Sequence, residues 1–222
     1  MKIGDVVEKQ IIDLIVSNIH KNYPSIVSSI ENEDNFLPIA PVRREICLCL
    51  MCGFYQAAIV LTNHLLESAL KKFLILVESR GNKVATSDIA NTFKYATDKY
   101  AGEILKNIID KAYSKGLILE SEKDMLHQFR QKYRNPFSHA NPKQTFPEKT
   151  LSVRLVSQDE ISNPEDFAKF FAGPNMELDP QNFLPIQGLL QALMAQESSA
   201  DYFFKVDEIL CSIYKRITTD KL

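Results

Sequence analysis

The chain has 222 residues, of which 45% are hydrophobic and 24% charged, with 7 glycines, 10 prolines, 4 cysteines and no tryptophan. That length supports one large domain or two small ones with a hydrophobic core of ordinary size, and the composition excludes collagen-like, low-complexity and disulfide-scaffold chains. The formal charge of −2 hides a gradient: residues 94–154 carry 12 Lys and Arg against 7 Asp and Glu, whereas residues 155–222 carry 5 against 11. A basic middle fits either a local phosphate-binding face or simply a solvated helix surface.

The first helix is predicted from about Asp5 to Asn22, on Val6, Ile11, Leu14, Ile15 and Ile19, with Pro24 stopping it. Asp5, Glu8, Lys9 and Asp13 interrupt its apolar residues, so it does not read as a signal peptide, and no apolar run elsewhere reaches membrane-spanning length. A cytoplasmic protein without a membrane partner is expected. Residues 31–41 read as a loop.

From Val42 to about Ser79 the pattern is helical, with a bend at Gly53. Phe54, Ala58, Leu61, Leu65, Ala69, Phe73 and Val77 form one stripe, which makes residues 54–77 the expected core helix. Asn63 and Glu67 stand four apart on it and are expected to form a satisfied polar pair between packed helices, the alternative being that they face the basic segment at 128–144 and orient it. Cys47, Cys49 and Cys52 point about 200° and then a further 300° around a helix axis, so they share no face for a metal and are expected, with Cys211, to be buried reduced thiols.

Ser87-Asp88 offers a cap for a helix through Tyr100, and a second amphipathic stretch with Ile104, Leu105, Ile108, Ile109 and Ala112 should end near Gly116. Ser121 to Asp124 fits a Ser-x-x-acid cap opening a helix that carries Met125, Leu126 and Phe129. This helix should end near Asn135, because Pro136 disfavours a helical residue before it. Residues 136–150 contain three prolines and read as a loop, Leu151, Val153 and Leu155 alternate as in a short strand, and Pro164 to Gly173 suggests a short helix. A loop over 174–180 and a long helix from about Pro185 to Ile217 complete an all-α bundle.

The segment QFRQKYRNPFSHANPKQ at 128–144 brings chemistry together: Arg130, Lys132 and Arg134 on a helix that is expected to break into a proline loop presenting His139. The Arg134 guanidinium matches phosphate oxygens with a planar fork of donors, and an imidazole exchanges protons near neutral pH. That pairing suits phosphodiester cleavage, in which charge develops on the phosphate while protons leave one oxygen and reach another. Taken without further context, Arg134 could equally face the last carbonyls of its helix and His139 could be an ordinary loop residue. His20, His64 and His127 read as structural or surface residues.

Arg134-Asn135-Pro136-Phe137-Ser138-His139 resembles the R-x4-6-H motif of HEPN domains, including the polar residue directly after the arginine. The helix YQAAIVLTNHLLESALKKFL at 55–74 is similar in character to the core helix of those domains. The resemblance implies one HEPN-like helical domain over 1–222, with an N-terminal extension over about 1–40 and a small irregular insertion over about 141–180. It also implies a metal-independent endoribonuclease of a toxin–antitoxin or antiviral system, without a cofactor, acting on RNA as a homodimer and answering to an antitoxin or regulatory protein. Arg134, Asn135 and His139 would then be catalytic, and Arg130, Lys132 and Lys143 would bind the substrate. Asn141 stands where many toxins of this type carry a modifiable tyrosine, which argues against regulation by that route. The alternative is a catalytically silent helical module that binds nucleotide, RNA or a protein. Common nucleotide, zinc-protease and serine-hydrolase signatures are absent.

Overall fold

In the computed structural model, residues 3–31, 37–81, 89–139, 151–153, 176–179, 181 and 184–219 are described. They form helices α1 (Ile3–Glu31), α2 (Ala40–Cys52), α3 (Tyr55–Gly81), α4 (Ile89–Ala101), α5 (Leu105–Ser114), α6 (Glu120–Phe129), α7 (Asn135–His139) and α8 (Leu184–Thr219). A 3-10 turn (Leu37–Ile39) precedes α2, a π-helical turn (Arg130–Arg134) joins α6 to α7, and strands β1 (Leu151–Val153) and β2 (Met176–Leu178) pair antiparallel. The expected all-α bundle is the observed architecture, with β2 supplying the partner that the alternation at 151–153 required. Residues 176–178 are therefore strand rather than loop. The expected helix after Pro164, the cap at Ser87-Asp88 and most of the 141–180 insertion lie outside the described residues.

Pro24 does not end α1, which continues to Glu31. The missing N–H removes one helical hydrogen bond, but tertiary contacts beyond it outweigh that loss. Asn22 Nδ2 donates to the Leu50 carbonyl at 2.9 Å and to Tyr55 Oη at 3.0 Å, Ile26 is buried, and Arg43 Nη1 donates to the Ser29 carbonyl at 2.6 Å. The second half of α1 is thus fastened to α2.

Gly53 does more than bend a single helix. At φ +82° it ends α2 in a Schellman motif, with Phe54 N–H donating to the Cys49 carbonyl at 2.8 Å and Gly53 N–H to that of Leu50 at 3.3 Å. A Cβ at this position would lie 2.4 Å from Asn18 Nδ2. Gly116, at φ +70°, closes α5 in the same way, with Leu117 N–H on the Ala112 carbonyl and Gly116 N–H on that of Tyr113. The α6 cap lies two residues earlier than expected: Leu119 is the capping position, and Glu122, three residues on, accepts from Leu119 N–H at 2.7 Å. Arg216 of α8 holds the Glu122 carboxylate with two hydrogen bonds of 2.7 and 2.8 Å, which fixes this register.

The core lies around α3 and α8. Ala58, Leu65, Ala69 and Phe73 of the predicted stripe are buried, Leu61 and Val77 are half-buried, and only Phe54, beyond the N-terminus of α3, stays exposed. Ile59, Leu66, Leu70 and Leu74 form a second buried row, so α3 is covered over a wide arc, as a central helix must be. Tyr202, Phe203, Val206, Leu210, Ile213 and Ile217 of α8 complete the core. All four cysteines are thiols without disulfides, but only Cys47 is buried as expected, the other three being half-buried. Burial pushes the Cys47 thiol up to about 11, which suppresses its thiolate. No described helix is long and apolar enough to cross a membrane.

Candidate functional site

The expected break at Asn135 does not occur. Asn135 has φ −65° and ψ −49°, helical values, and the backbone stays helical through His139. The π turn makes this possible. Asn135 N–H donates to the Arg130 carbonyl, five residues back, so one extra residue is accommodated in the turn. In a regular α-helix the ring of Pro136 would press on the carbonyl four residues before it; widening the turn moves that carbonyl aside. Pro136, the second residue of α7, still supplies no backbone donor to the helix that continues past it.

Aromatic packing holds the turn in place. Phe129, Tyr133 and Phe137 recur every four residues across the proline, with Tyr133 buried and the other two half-buried against the core. The Tyr133 ring stacks on that of Tyr202 at 4.2 Å and 21°, and Phe129 meets the same tyrosine edge-on at 5.1 Å and 73°. Tyr202 Oη donates to Asn63 Oδ1 at 2.8 Å. Burial pushes the Tyr202 phenol far up from its ordinary value, so it remains a donor. Pro136 is buried as well.

Five of the six predicted site residues, those at 130, 132, 134, 135 and 139, therefore lie on a single helical segment rather than at a helix–loop junction. Arg130 is half-buried, and its Nε is buried without a hydrogen-bond partner among the described residues. Lys132 is exposed, with Nζ 5.0 Å from the centre of the Tyr133 ring. Arg134 and Asn135 are half-buried. His139 ends α7, one helical turn after Asn135, but its side chain lies outside the described residues, as does Lys143. The cations at 130, 132 and 134 concentrate positive charge on this turn, with an amide directly after them.

Asn63 and Glu67 do not pair. Asn63 takes Tyr202 as its partner, and Glu67 accepts from Lys71 at 2.9 Å on the same helix. His20 and His64 are exposed. His127 is half-buried and sits one turn before Arg130, with Nε2 3.0 Å from Asp110 Oδ1, so it is tied to α5 rather than simply facing solvent. Among the described residues no group of three or more His, Cys, Asp and Glu side chains could hold a metal ion.

The π turn and the roles of Tyr133 and Tyr202 were missed in the sequence. The signal was there: the four-residue recurrence of Phe129, Tyr133 and Phe137 runs straight through Pro136, and an apolar helical period crossing a proline marks a helix that continues. No protein-family model matches the chain, and no curated protein or solved structure matches it.

Proposed function

We propose that this chain is a metal-independent endoribonuclease of the HEPN type, working in the cytoplasm as a homodimer in a toxin–antitoxin or antiviral setting. The observation that supports the reading is the π turn. Turns of this kind occur frequently at functional sites, and here one carries Arg130, Lys132 and Arg134 into Asn135, anchored by a buried tyrosine.

In this reading the 2′-hydroxyl of the RNA attacks the adjacent phosphorus, and the bond from phosphorus to the 5′-oxygen breaks. One proton leaves the 2′-oxygen and another reaches the 5′-oxygen. His139 acts as general base or acid for these transfers. Arg134 neutralises the charge that grows on the non-bridging oxygens, and Asn135 donates a hydrogen bond to the same group. Arg130, Lys132 and Lys143 hold neighbouring backbone phosphates. An internal nucleophile makes a metal-activated water unnecessary.

Positions 134 and 139 stand about 140° apart around a helix axis and about 7.5 Å along it. One motif thus provides few groups to clamp a phosphate and move two protons. Two motifs meeting across a two-fold axis supply a second set, which is the reason for proposing a homodimer. An antitoxin or regulatory protein would act by covering this face.

The test is incubation of the purified protein with total RNA in EDTA, followed by chemical mapping of the new ends. The reading expects 2′,3′-cyclic phosphate and 5′-hydroxyl termini and no cleavage of 2′-deoxy substrates. If every RNA stays intact, the silent binding module takes its place.

A further inference from the structure

Asn63 is an unusual residue for the middle of a central helix such as α3. It is 6% exposed, its Oδ1 is taken by Tyr202, and its Nδ2 has no hydrogen-bond partner among the described residues. A buried polar pair of this kind gives stability little advantage over two apolar side chains of the same shape. It does, however, set where a ring lies. The hydrogen bond fixes the depth and orientation of the Tyr202 ring, and that ring touches both sides of the point where the helix changes its bonding. Phe129, the last residue of α6, meets it edge-on, and Tyr133, inside the π turn, stacks on it.

A π turn is an α-helix with one extra residue, and the place of that residue along the helix is not fixed by backbone bonding alone. Moving it by one position would turn the residues it passes by about 100°, and losing it would turn the whole segment downstream by that angle. Arg134 directly follows Tyr133, so whatever holds the Tyr133 ring also decides which way Arg134 and Asn135 face. We infer that Tyr202, oriented by Asn63, is the positioning residue of this site, pinning the π turn through the Tyr133 ring. Its consequence for catalysis rests on the ribonuclease reading; its effect on the turn does not.

The experiment uses the full chain with Tyr202→Phe, Asn63→Ala and the double variant, each keeping the ring stack. Amide hydrogen exchange is followed residue by residue alongside RNA cleavage kinetics. Exchange over residues 130–137 should accelerate by about 10-fold or more in each variant, while α3 and α8 elsewhere change far less. In an active enzyme kcat should fall by about 10- to 100-fold with KM unchanged, because a displaced group is lost to the transition state while substrate binding persists. The double variant should lose no more than either single one, since both act through one hydrogen bond. Unchanged exchange at the turn, or a uniform rise across all helices, overturns the positioning role. A localised rise with kcat unchanged in an active enzyme overturns its catalytic consequence. A localised rise in a protein whose wild type cleaves no RNA upholds the positioning role and rejects only the nuclease reading.

Discussion

Arg43 and Asp207, 164 positions apart, face each other in the core through two hydrogen bonds, Nε to Oδ1 at 2.6 Å and Nη2 to Oδ2 at 2.7 Å. The third arm of the same guanidinium reaches the Ser29 carbonyl, so one side chain joins α1, α2 and α8. Both residues are almost fully buried, so removing one partner strands the other's charge away from water. Arg43→Met should therefore lower unfolding stability by about 3–5 kcal/mol. Adding Asp207→Leu should recover a substantial part of the loss, because no charge is then left unpaired. Urea denaturation of the single and double variants measures both, and additive losses would show that the two residues are not coupled.

Two glycines should respond to alanine in opposite directions. Gly53 has φ +82° and lies against Asn18, so Gly53→Ala should destabilise by about 1–3 kcal/mol. Gly188 lies exposed in α8 with nothing within 4 Å of where an alanine methyl would sit, so Gly188→Ala should stabilise by about 0.5–1 kcal/mol through helix propensity. Thermal denaturation of the two variants beside wild type decides the signs.

Acid sensitivity should centre on Glu78. Lys99 at 2.7 Å, with Lys115 and Tyr100 beside it, holds this carboxyl down at about 2, against an ordinary value of 4.5. A carboxyl whose folded value is depressed stabilises the fold fully above the unfolded value and loses that contribution as pH falls towards the folded one. Wild type should thus lose stability between about pH 5 and pH 2 more steeply than Glu78→Gln. Parallel pH profiles for the two proteins would contradict this assignment.

Regular period and turn chemistry made much of the bundle legible in the sequence. The apolar stripe of α3, the glycine closing α5 and the long α8 were all readable, because helix spacing and a left-handed residue are local properties. The failures were at prolines and caps, where distant contacts decide. Pro24 and Pro136 both read as helix stops, yet each lies in a segment whose neighbours pack into the core, Asn22 and Ile26 in one case and Tyr133 and Phe137 in the other. The α6 cap was displaced because Arg216, nearly a hundred residues away, holds Glu122. At the site, the residue types and their order were visible in RNPFSH, whereas the π turn and its support from Tyr202 and Asn63 depend on a helix 139 positions from Asn63.

The central claim is that His139 transfers a proton during RNA cleavage, and the most direct measurement is the single-turnover cleavage rate of His139→Ala beside wild type, in EDTA. The rate should fall by about 10²- to 10⁴-fold. Circular dichroism and the melting temperature should stay unchanged, since residue 139 is the last of α7 rather than part of the core helices. Arg134→Ala should also be impaired. Equal rates for His139→Ala and wild type would contradict the claim.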